Sequence, residues 1–330
     1  MLPPHLEGTI LRDRYRLTRL VGRGGMGCVY QADDLRLPGR LCAIKEVQPD
    51  LNASAEDRTQ LHNQFLMEAS VLAQLDHPNL PKVSDFFTDD NREYLVQDFV
   101  PGQDLKQRID QAIQQDRLLE ESDVLNWADQ IIDALDYLHH RQPPVLHRDI
   151  KPSNIKLTPE GRIKLVDFGL VKLLAPDDQR TLTVMQGRGT AIYTPLEQYG
   201  GDGGHTDVRS DIYGLGATLF HLLTCKTPPE AKMRFLNPRA LKSPTELNPN
   251  VQDKTSKAVL WAMAMHPDKR PDTVEELAEV LLGDVNLPSE VARAGELSAE
   301  LPVLRAIIRN RVLIAAVFIL LLMAVAATIL

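Results

Sequence analysis

Polar residues that could transfer a phosphoryl group are concentrated in two short stretches of the sequence. The first reads His147-Arg148-Asp149-Ile150-Lys151-Pro152-Ser153-Asn154, and Asp167-Phe168-Gly169 follows thirteen residues after Asn154. Phosphoryl transfer needs a carboxylate beside the attacking hydroxyl, a cation near the γ-phosphate and oxygen ligands for Mg²⁺. Asp149 offers the carboxylate and Lys151 the cation. Asn154 and Asp167 offer the oxygen ligands, so we interpret the two stretches as parts of one phosphoryl-transfer site.

A glycine-rich stretch near the N-terminus could hold the phosphates of a nucleotide. It follows a predicted strand at residues 17–21 and reads Gly22-Arg23-Gly24-Gly25-Met26-Gly27-Cys28-Val29. Glycines let backbone N–H groups approach phosphate without a Cβ in the way. The stretch alone is a weak signal, because a hairpin with no ligand has the same composition. The helix start that a dinucleotide-binding turn requires is missing here.

A lysine in the next predicted strand favours the nucleotide-binding interpretation. Residues 41–47 are otherwise largely apolar, and the charged head of Lys45 should meet a partner rather than lie in the core. Glu68, on the predicted helix that follows, is the candidate partner. A solvated turn would explain the stretch 147–154 or the stretch 167–169 by itself. It does not explain why both occur together with Lys45 and Glu68, and in this order.

The elements that must position these residues change character along the chain. The first part, from Tyr15 to about residue 97, combines short predicted strands with one helix at residues 60–75. Beyond residue 97, apolar residues recur mostly at helical spacing. The predicted helices of this second part span residues 124–139, 212–223 and 274–282. The sequence therefore predicts a small strand-rich lobe followed by a larger helical lobe.

The order of the motifs resembles that of the eukaryotic-like serine/threonine protein kinases of bacteria, over residues 15–282. The resemblance implies an α+β, bilobal protein-kinase fold with ATP in the cleft between an N-lobe (15–97) and a C-lobe (98–282). In that family a lysine after the HRD, here Lys151, goes with serine and threonine substrates. We therefore expect an enzyme that uses ATP and Mg²⁺ to phosphorylate Ser and Thr hydroxyls of protein substrates.

The resemblance also implies roles for single residues. Lys45 would bind the α- and β-phosphates, Glu68 would fix Lys45, and Asp149 would orient or deprotonate the substrate hydroxyl. Lys151 would assist catalysis, and Asn154 and Asp167 would bind the metal. The predicted ATP-binding residues are Gly22, Arg23, Gly24, Gly25, Met26, Gly27, Cys28, Val29, Ala43, Lys45, Asp98, Val100 and Asp104.

Around the adenine the sequence departs from the usual family pattern at one position. Alignment makes Gln97 the gatekeeper, gives backbone contacts with adenine to Asp98 and Val100, and places Asp104 at the ribose. Below the adenine, where an apolar residue is common, stands Lys156. We expect its aliphatic stem to pack under the ring while its head reaches water.

The activation loop is predicted at residues 167–197. Thr181 and Thr183 are its candidate phosphorylation sites, and Arg148 is the residue expected to hold the phosphorylated loop. The alternative is that both threonines are ordinary polar loop residues.

Three further residues are expected to stabilise the fold rather than to take part in the chemistry. Glu197 should form a buried ion pair with Arg270, and Asp211 should brace the backbone of the HRD motif.

The C-terminal end is predicted to cross a membrane. Residues 312–330 carry no charge, and at about 1.5 Å per residue a helix of this length spans roughly 28 Å. Arg305, Arg309 and Arg311 precede it, which places the N-terminal side in the cytoplasm. We expect an N-terminal extension (1–14), a juxtamembrane linker (283–311) and a single-pass inner- or plasma-membrane protein. A buried core helix is the alternative for 312–330.

Composition narrows the function classes. The net charge of −8 gives no basic field for a nucleic-acid backbone. The three cysteines, Cys28, Cys42 and Cys225, suit neither a disulfide framework nor a zinc site. Two other functions remain open, a pseudokinase acting as a membrane scaffold and a small-molecule phosphotransferase. The sequence also leaves open a homodimer that phosphorylates its own activation loop in trans.

Overall fold

The computed structural model describes residues 4–24, 27–47, 54–90, 92–167, 191–199, 206–283, 285 and 287–288. Several predicted features lie outside these residues: Gly25, Met26, the phosphorylation sites Thr181 and Thr183, and the apolar segment 312–330. The chain divides into two units, residues 1–285 and 286–330. All of the helices and strands given below belong to the first unit.

The N-lobe is built on one antiparallel sheet with the strand order β1-β2-β3-β4-β6-β5. One helix, α1 (Ala55–Ala73), lies between β4 and β5 in the sequence. The strands are β1 (Ile10–Leu11), β2 (Tyr15–Gly24), β3 (Gly27–Asp34), β4 (Leu41–Val47), β5 (Val83–Asp89) and β6 (Arg92–Asp98).

Alternating side chains give this sheet a buried face. Along β3, Cys28, Tyr30 and Ala32 are buried, and Cys42 and Ile44 of β4 join them in one cluster. Because successive side chains of a strand point to opposite faces, Val29 and Lys45 face the other side. The sheet therefore separates a packed core from a face that carries the predicted phosphate-binding lysine.

The C-lobe is mainly helical and adds a small three-stranded sheet, with the order β7-β8-β9, next to the N-lobe. Its strands are β7 (Gln103–Asp104), β8 (Ile155–Leu157) and β9 (Ile163–Leu165). Its helices are α2 (Leu105–Gln114), α3 (Glu121–His139), α4 (Val208–Thr224), α5 (Ala231–Leu236), α6 (Pro244–Leu247), α7 (Asp253–Ala262) and α8 (Val274–Leu281).

Helix α4 is the buried centre of the C-lobe. Every residue from Ser210 to Thr224 is buried. A Cβ at Gly216 would lie 2.8 Å from Cβ of Ala262, so the missing side chain allows α4 and α7 to approach closely. Asp207 caps the first turn by accepting a hydrogen bond from the N–H of Arg209. This packing fixes Asp211, one turn into the helix, below the predicted catalytic residues.

The bilobal architecture agrees with the prediction from the sequence. The helix predicted at 60–75 is α1, and the one predicted at 124–139 is α3, which begins three residues earlier at Glu121. The predicted N-terminal extension contributes a strand, β1, to the sheet. Within the described part of the chain, no helix combines the length and the apolar character needed to cross a membrane.

Candidate functional site

The loop of residues 147–154 follows α3, and a carboxylate from α4 holds its first two residues. The backbone N–H of His147 donates to Oδ2 of Asp211 over 2.9 Å, and that of Arg148 donates to Oδ1 over 2.7 Å. Arg148 has a φ of 63°, in the left-handed region that costs free energy for a residue with a side chain. The two hydrogen bonds therefore stabilise a strained backbone directly before Asp149, as the sequence analysis expected of Asp211.

Asp211 is completely buried and yet favours its ionised form. Burial raises the pKa of this carboxyl, but the hydrogen bond and charge of His139 and the N–H of His147 outweigh it, so the pKa is below its ordinary value. Nε2 of His139, on α3, lies 3.0 Å from Oδ2 of Asp211. Sequence reasoning missed His139 because 72 residues separate the two and no local pattern connects them.

Asp149 uses one carboxylate oxygen for contacts within the loop. Nζ of Lys151 donates to Oδ2 over 2.7 Å, and Nδ2 of Asn154 donates to the same oxygen over 2.9 Å. Oδ1 is buried and has no hydrogen-bond partner among the residues that the structure describes. A buried acceptor without a donor costs free energy. Oδ1 therefore has unused acceptor capacity, and the two hydrogen bonds at Oδ2 fix the orientation of the carboxylate.

Asn154 and Asp167 offer oxygen ligands that suit a divalent cation. The amide nitrogen of Asn154 is occupied by Asp149, so its amide oxygen would be the atom that binds a metal. The main chain links the two residues, because the N–H of Val166 donates to the carbonyl oxygen of Asn154 over 2.8 Å. Asp167 has a φ of 57°, and its side chain is 38% exposed. An amide oxygen and a carboxylate match the preference of Mg²⁺ for oxygen ligands.

Lys45 brings an ammonium group from the N-lobe to this pair. Its Nζ lies 3.6 Å from Oδ1 of Asp167. In the sheet Lys45 pairs with Val29 of β3 and with Leu95 of β6, so its strand is held on both sides. The structure thus brings the predicted phosphate-binding lysine and a predicted metal ligand into one site.

Glu68 lies on α1, and its side chain is buried. It is 3% exposed and accepts a hydrogen bond from Nε2 of Gln64 over 2.9 Å. A buried carboxylate is stable only with hydrogen-bond or cationic partners. The proposed role of Glu68 in fixing Lys45 stays a prediction.

The predicted phosphate-binding loop is the connection between β2 and β3. Gly22 pairs with Val29 and Gly24 with Gly27. Gly27 has a φ of 152°, and a Cβ there would lie 1.8 Å from the carbonyl oxygen of Glu46. Glycine is therefore required at this position both by the backbone angle and by the close approach of β4.

The segment after β6 connects the two lobes at the predicted adenine site. Ala43 pairs with Gln97. The N–H of Asp98 donates to the carbonyl oxygen of Lys82, and the carboxylate of Asp98 accepts from Nη2 of Arg40, both over 3.0 Å. These contacts fix the backbone on which the adenine contacts of Asp98 and Val100 are predicted.

Lys156 differs from the expectation that its head reaches water. Its Nζ lies 3.6 Å from Oδ2 of Asp104, and both side chains are largely shielded from solvent. The cause is register, because β8 places Lys156 directly opposite Asp104 of β7. Oδ1 of Asp104 accepts from the N–H of Gln107 and caps α2. Both carboxylate oxygens of the predicted ribose ligand therefore have protein partners.

The ion pair predicted between Glu197 and Arg270 is present. Nη1 and Nη2 of Arg270 donate to the two carboxylate oxygens of Glu197 over 2.6 and 3.1 Å. Three backbone carbonyls, those of Ala264, Arg209 and Met265, accept the remaining hydrogens. All five N–H donors of a guanidinium group are thus used.

Arg148 differs from Arg270 in that its guanidinium lacks a full set of hydrogen-bond partners among the described residues. Burial lowers the pKa of its guanidinium, and its Nε is buried with no hydrogen-bond partner in the described part of the chain. The threonines predicted to meet it after phosphorylation, Thr181 and Thr183, lie outside the described residues. Its role in holding a phosphorylated loop stays a prediction.

The family model described as a protein kinase domain matches residues 15–281 of the chain. Among curated proteins, the chain is 34% identical to the serine/threonine-protein kinase PrkC of Bacillus subtilis, over 82% of this chain and 40% of that protein. A probable serine/threonine-protein kinase PknB of Lactococcus lactis is 33% identical, over 88% of this chain and 44% of that protein. The chain therefore spans less than half the length of these two relatives.

A third relative is matched over more of its length. The serine/threonine-protein kinase PknF of Mycobacterium bovis is 32% identical, over 99% of this chain and 68% of that protein. Among solved structures, the apo form of PpkA-294 has a TM-score of 0.68 at 28% identity, covering 84% of this chain and 99% of that one. The PknI kinase domain of Mycobacterium tuberculosis has a TM-score of 0.65 at 26% identity, covering 88% of this chain and 100% of that one.

Proposed function

The chain belongs to the bacterial serine/threonine protein kinase family, and from this premise we propose that it transfers the γ-phosphate of ATP to serine and threonine hydroxyls of proteins. The observation that carries the proposal is the asymmetric environment of Asp149. Lys151 and Asn154 occupy Oδ2, while Oδ1 is buried without a partner among the described residues. A substrate hydroxyl that reaches this carboxylate and donates to it would be oriented for attack.

The other residues of the site would hold the nucleotide and the charge of the reaction. Lys45 would bind the phosphates of ATP, and its position 3.6 Å from Asp167 keeps it beside the metal ligands. Asn154 and Asp167 would hold Mg²⁺, which supplies positive charge to the phosphate oxygens when bound. Lys151, fixed on Asp149, would add a second cation near the transferred group. The backbone of Asp98 and Val100 would bind adenine.

Regulation and location are part of the same proposal. Thr181 and Thr183 would be phosphorylated by the kinase itself, and the phosphate would pair with Arg148. The apolar segment 312–330 would anchor the kinase domain on the cytoplasmic face of a membrane, since it is uncharged and three arginines precede it. A homodimer at the membrane would allow phosphorylation in trans.

The test is transfer of labelled phosphate from Mg-ATP by the full chain in detergent micelles, with the Asp149→Asn variant as the control. We expect label on a protein acceptor and on Thr181 or Thr183 in the parent, located by mass spectrometry, and none in the variant. Equal labelling of parent and variant would refute the role of Asp149. ATP binding without any transfer by the parent would leave a scaffold as the better explanation.

The anchor needs a separate measurement. After expression in bacteria, washing membranes at alkaline pH should leave the full chain in the membrane fraction, whereas a chain that ends at residue 311 should be released. Release of both chains would refute the transmembrane assignment of 312–330.

A further inference from the structure

The N-terminal segment of residues 4–11, which we call the N-terminal strap, lies before the residues matched by the kinase family model. It is nevertheless hydrogen-bonded to the sheet that carries the phosphate-binding lysine. The N–H of Gly8 donates to the carbonyl oxygen of Leu17, and the N–H of Leu17 donates to that of Thr9. Ile10 and Leu11 then pair with β2. A turn closed by Thr9, whose Oγ1 donates to the carbonyl oxygen of Leu6, directs the chain before it back over the sheet.

This turn places His5 against three strands at once. Its backbone N–H donates to the hydroxyl of Tyr30 on β3 over 2.9 Å. Its Nε2 lies 2.7 Å from the hydroxyl of Tyr94 on β6 and 3.3 Å from Nη1 of Arg92. The same Nε2 lies 3.9 Å from Oε2 of Glu46 on β4. His5 therefore contacts β3, β4 and β6 on the face of the sheet opposite to Lys45.

Glu46 is the centre of the polar cluster that His5 covers. Its side chain is fully buried, and it accepts hydrogen bonds from the hydroxyl of Tyr30 and from Nη1 of Arg92, each over 3.0 Å. Tyr30 in turn accepts from the N–H of His5, so the tyrosine hydroxyl connects the strap to the carboxylate. A buried carboxylate with such partners has a defined position.

Glu46 directly follows Lys45, and the two side chains point to opposite faces of β4. Contacts that hold Glu46 on one face of the sheet therefore also hold the backbone from which Lys45 reaches Asp167 on the other face. The carbonyl oxygen of Glu46 also fills the space where Gly27 has no Cβ. One residue of β4 thus contacts the end of the phosphate-binding loop and adjoins the phosphate-binding lysine.

We propose that the N-terminal strap is a positioning element of the nucleotide site, and that docking of His5 on Tyr30, Tyr94 and Glu46 raises the affinity of the protein for ATP. The inference rests on the proposed function only for the identity of the nucleotide. His5 acts through Glu46 and β4 and does not itself touch ATP.

The chemistry of the cluster makes docking sensitive to pH. Arg92 is a donor, so Nε2 of His5 acts as an acceptor, and the imidazole is neutral when docked. Burial and the charge of Arg92 lower the pKa of His5, while Glu46, Asp89 and Asp90 oppose this shift. A lowered pKa means that docking is complete above the ordinary value of 6.5 and is lost as the pH falls below it. Protonation would place a second cation beside Arg92.

The experiment measures the dissociation constant of a fluorescent ATP analogue for the full chain, in detergent micelles, between pH 7.5 and 5.5. At pH 7.5, His5→Ala should weaken binding about threefold to fivefold, because Tyr94 and Arg92 lose Nε2 as their acceptor while the backbone N–H of residue 5 can still donate to Tyr30. The turnover number at saturating ATP should change by less than about twofold. Tyr94→Phe, which removes only the hydroxyl that meets His5, should weaken binding in the same direction.

The pH profile separates positioning from simple stabilisation. Affinity of the parent should fall more steeply below pH 6.5 than affinity of His5→Gln, whose side chain does not titrate. His140→Gln is the matched control, since His140 is exposed and contacts Asp136 and Glu275 on the C-lobe. It should behave as the parent. Unchanged affinity in both His5→Ala and Tyr94→Phe would overturn the proposal.

Binding is measured without phosphoryl transfer, so a protein that binds ATP but does not transfer phosphate would still report on the strap. Failure of the proposed function and failure of this inference are therefore distinguishable. A melting temperature recorded for each variant shows whether it is folded, and parallel profiles for parent and His5→Gln would remove the titration of His5 from the proposal.

Discussion

Two polar clusters of the C-lobe differ in how much of their hydrogen-bonding capacity is used. Around Arg270 every guanidinium hydrogen is donated, to Glu197 and to three backbone carbonyls. In the loop 147–154, Oδ1 of Asp149 and Nε of Arg148 are buried without partners among the described residues, and the backbone of Arg148 is strained. The first cluster has nothing left to offer a ligand, whereas the second retains unused hydrogen-bonding capacity. The difference separates residues that maintain the fold from residues that await a substrate or a phosphate.

Replacement of Asp149 is the most direct test of this difference between the two clusters. Asp149→Asn should lower phosphoryl transfer by about 10³-fold, because an amide does not accept the proton of the substrate hydroxyl. The free energy of unfolding should fall by only about 1 kcal/mol, because the amide oxygen can still accept from Lys151 and Asn154 although the charge that pairs with Lys151 is lost. Transfer assays and urea unfolding of the same sample check both statements. A large loss of stability would mean that Asp149 belongs with the structural cluster.

Arg270 should show the reverse behaviour. Arg270→Met leaves Glu197 without its cation, and breaking such a buried pair typically lowers the free energy of unfolding by about 3–5 kcal/mol. Urea unfolding followed by fluorescence of the buried Trp127 and Trp261 measures the loss. Adding Glu197→Gln to Arg270→Met should restore part of it, because the stranded charge is removed. Stability equal to that of the parent in Arg270→Met would contradict the assignment.

The unused donor of Arg148 gives a third test. Replacing Thr181 and Thr183 together by alanine should lower the activity of the autophosphorylated protein by about tenfold, the size expected for one lost hydrogen bond between charged groups. Arg148→Lys should have a similar effect, and the triple variant should be no worse than either change. Full activity in the double threonine variant would place regulation elsewhere.

A smaller effect should come from Asp211, which holds the backbone of the loop 147–154 at His147 and Arg148. Its lowered pKa means that its contribution to stability is present above the ordinary value of 3.8 and is lost as the pH falls below it. Asp211→Asn should therefore be less stable than the parent at pH 6, and its stability should depend less steeply on pH below 4. Unfolding by urea at several pH values provides the comparison. Identical slopes would show that Asp211 is not the titrating group.

Much of this arrangement could be predicted because short motifs report local chemistry. The apolar content of residues 41–47 and the helical period of residues 124–139 predicted β4 and α3, and the polar motif at 147–154 predicted that Asp149, Lys151 and Asn154 belong to one site. The start of α1 was missed because its first turn carries no apolar repeat. Boundaries set by polar residues leave a weaker signal than buried faces do.

Contacts between distant residues were beyond the reach of sequence patterns. His5 and Tyr94 are 89 residues apart, and the sequence predicted only an extension for the first fourteen residues. Lys156 was expected to reach water, whereas the register of β7 and β8 turns it to Asp104. In both cases tertiary pairing decided the partner of a polar side chain, and local composition carried no information about that pairing.

The short strand β1 has a practical consequence for anyone who prepares this domain. It covers the outer edge of β2 at Tyr15 and Arg16, and Gly8 and Thr9 cover it at Leu17. A fragment cut at residue 15, where the family match begins, would leave these backbone groups open to water and to neighbouring molecules. Exposed strand edges promote self-association. Recombinant fragments should therefore include residues 8–11 if they are to stay monodisperse.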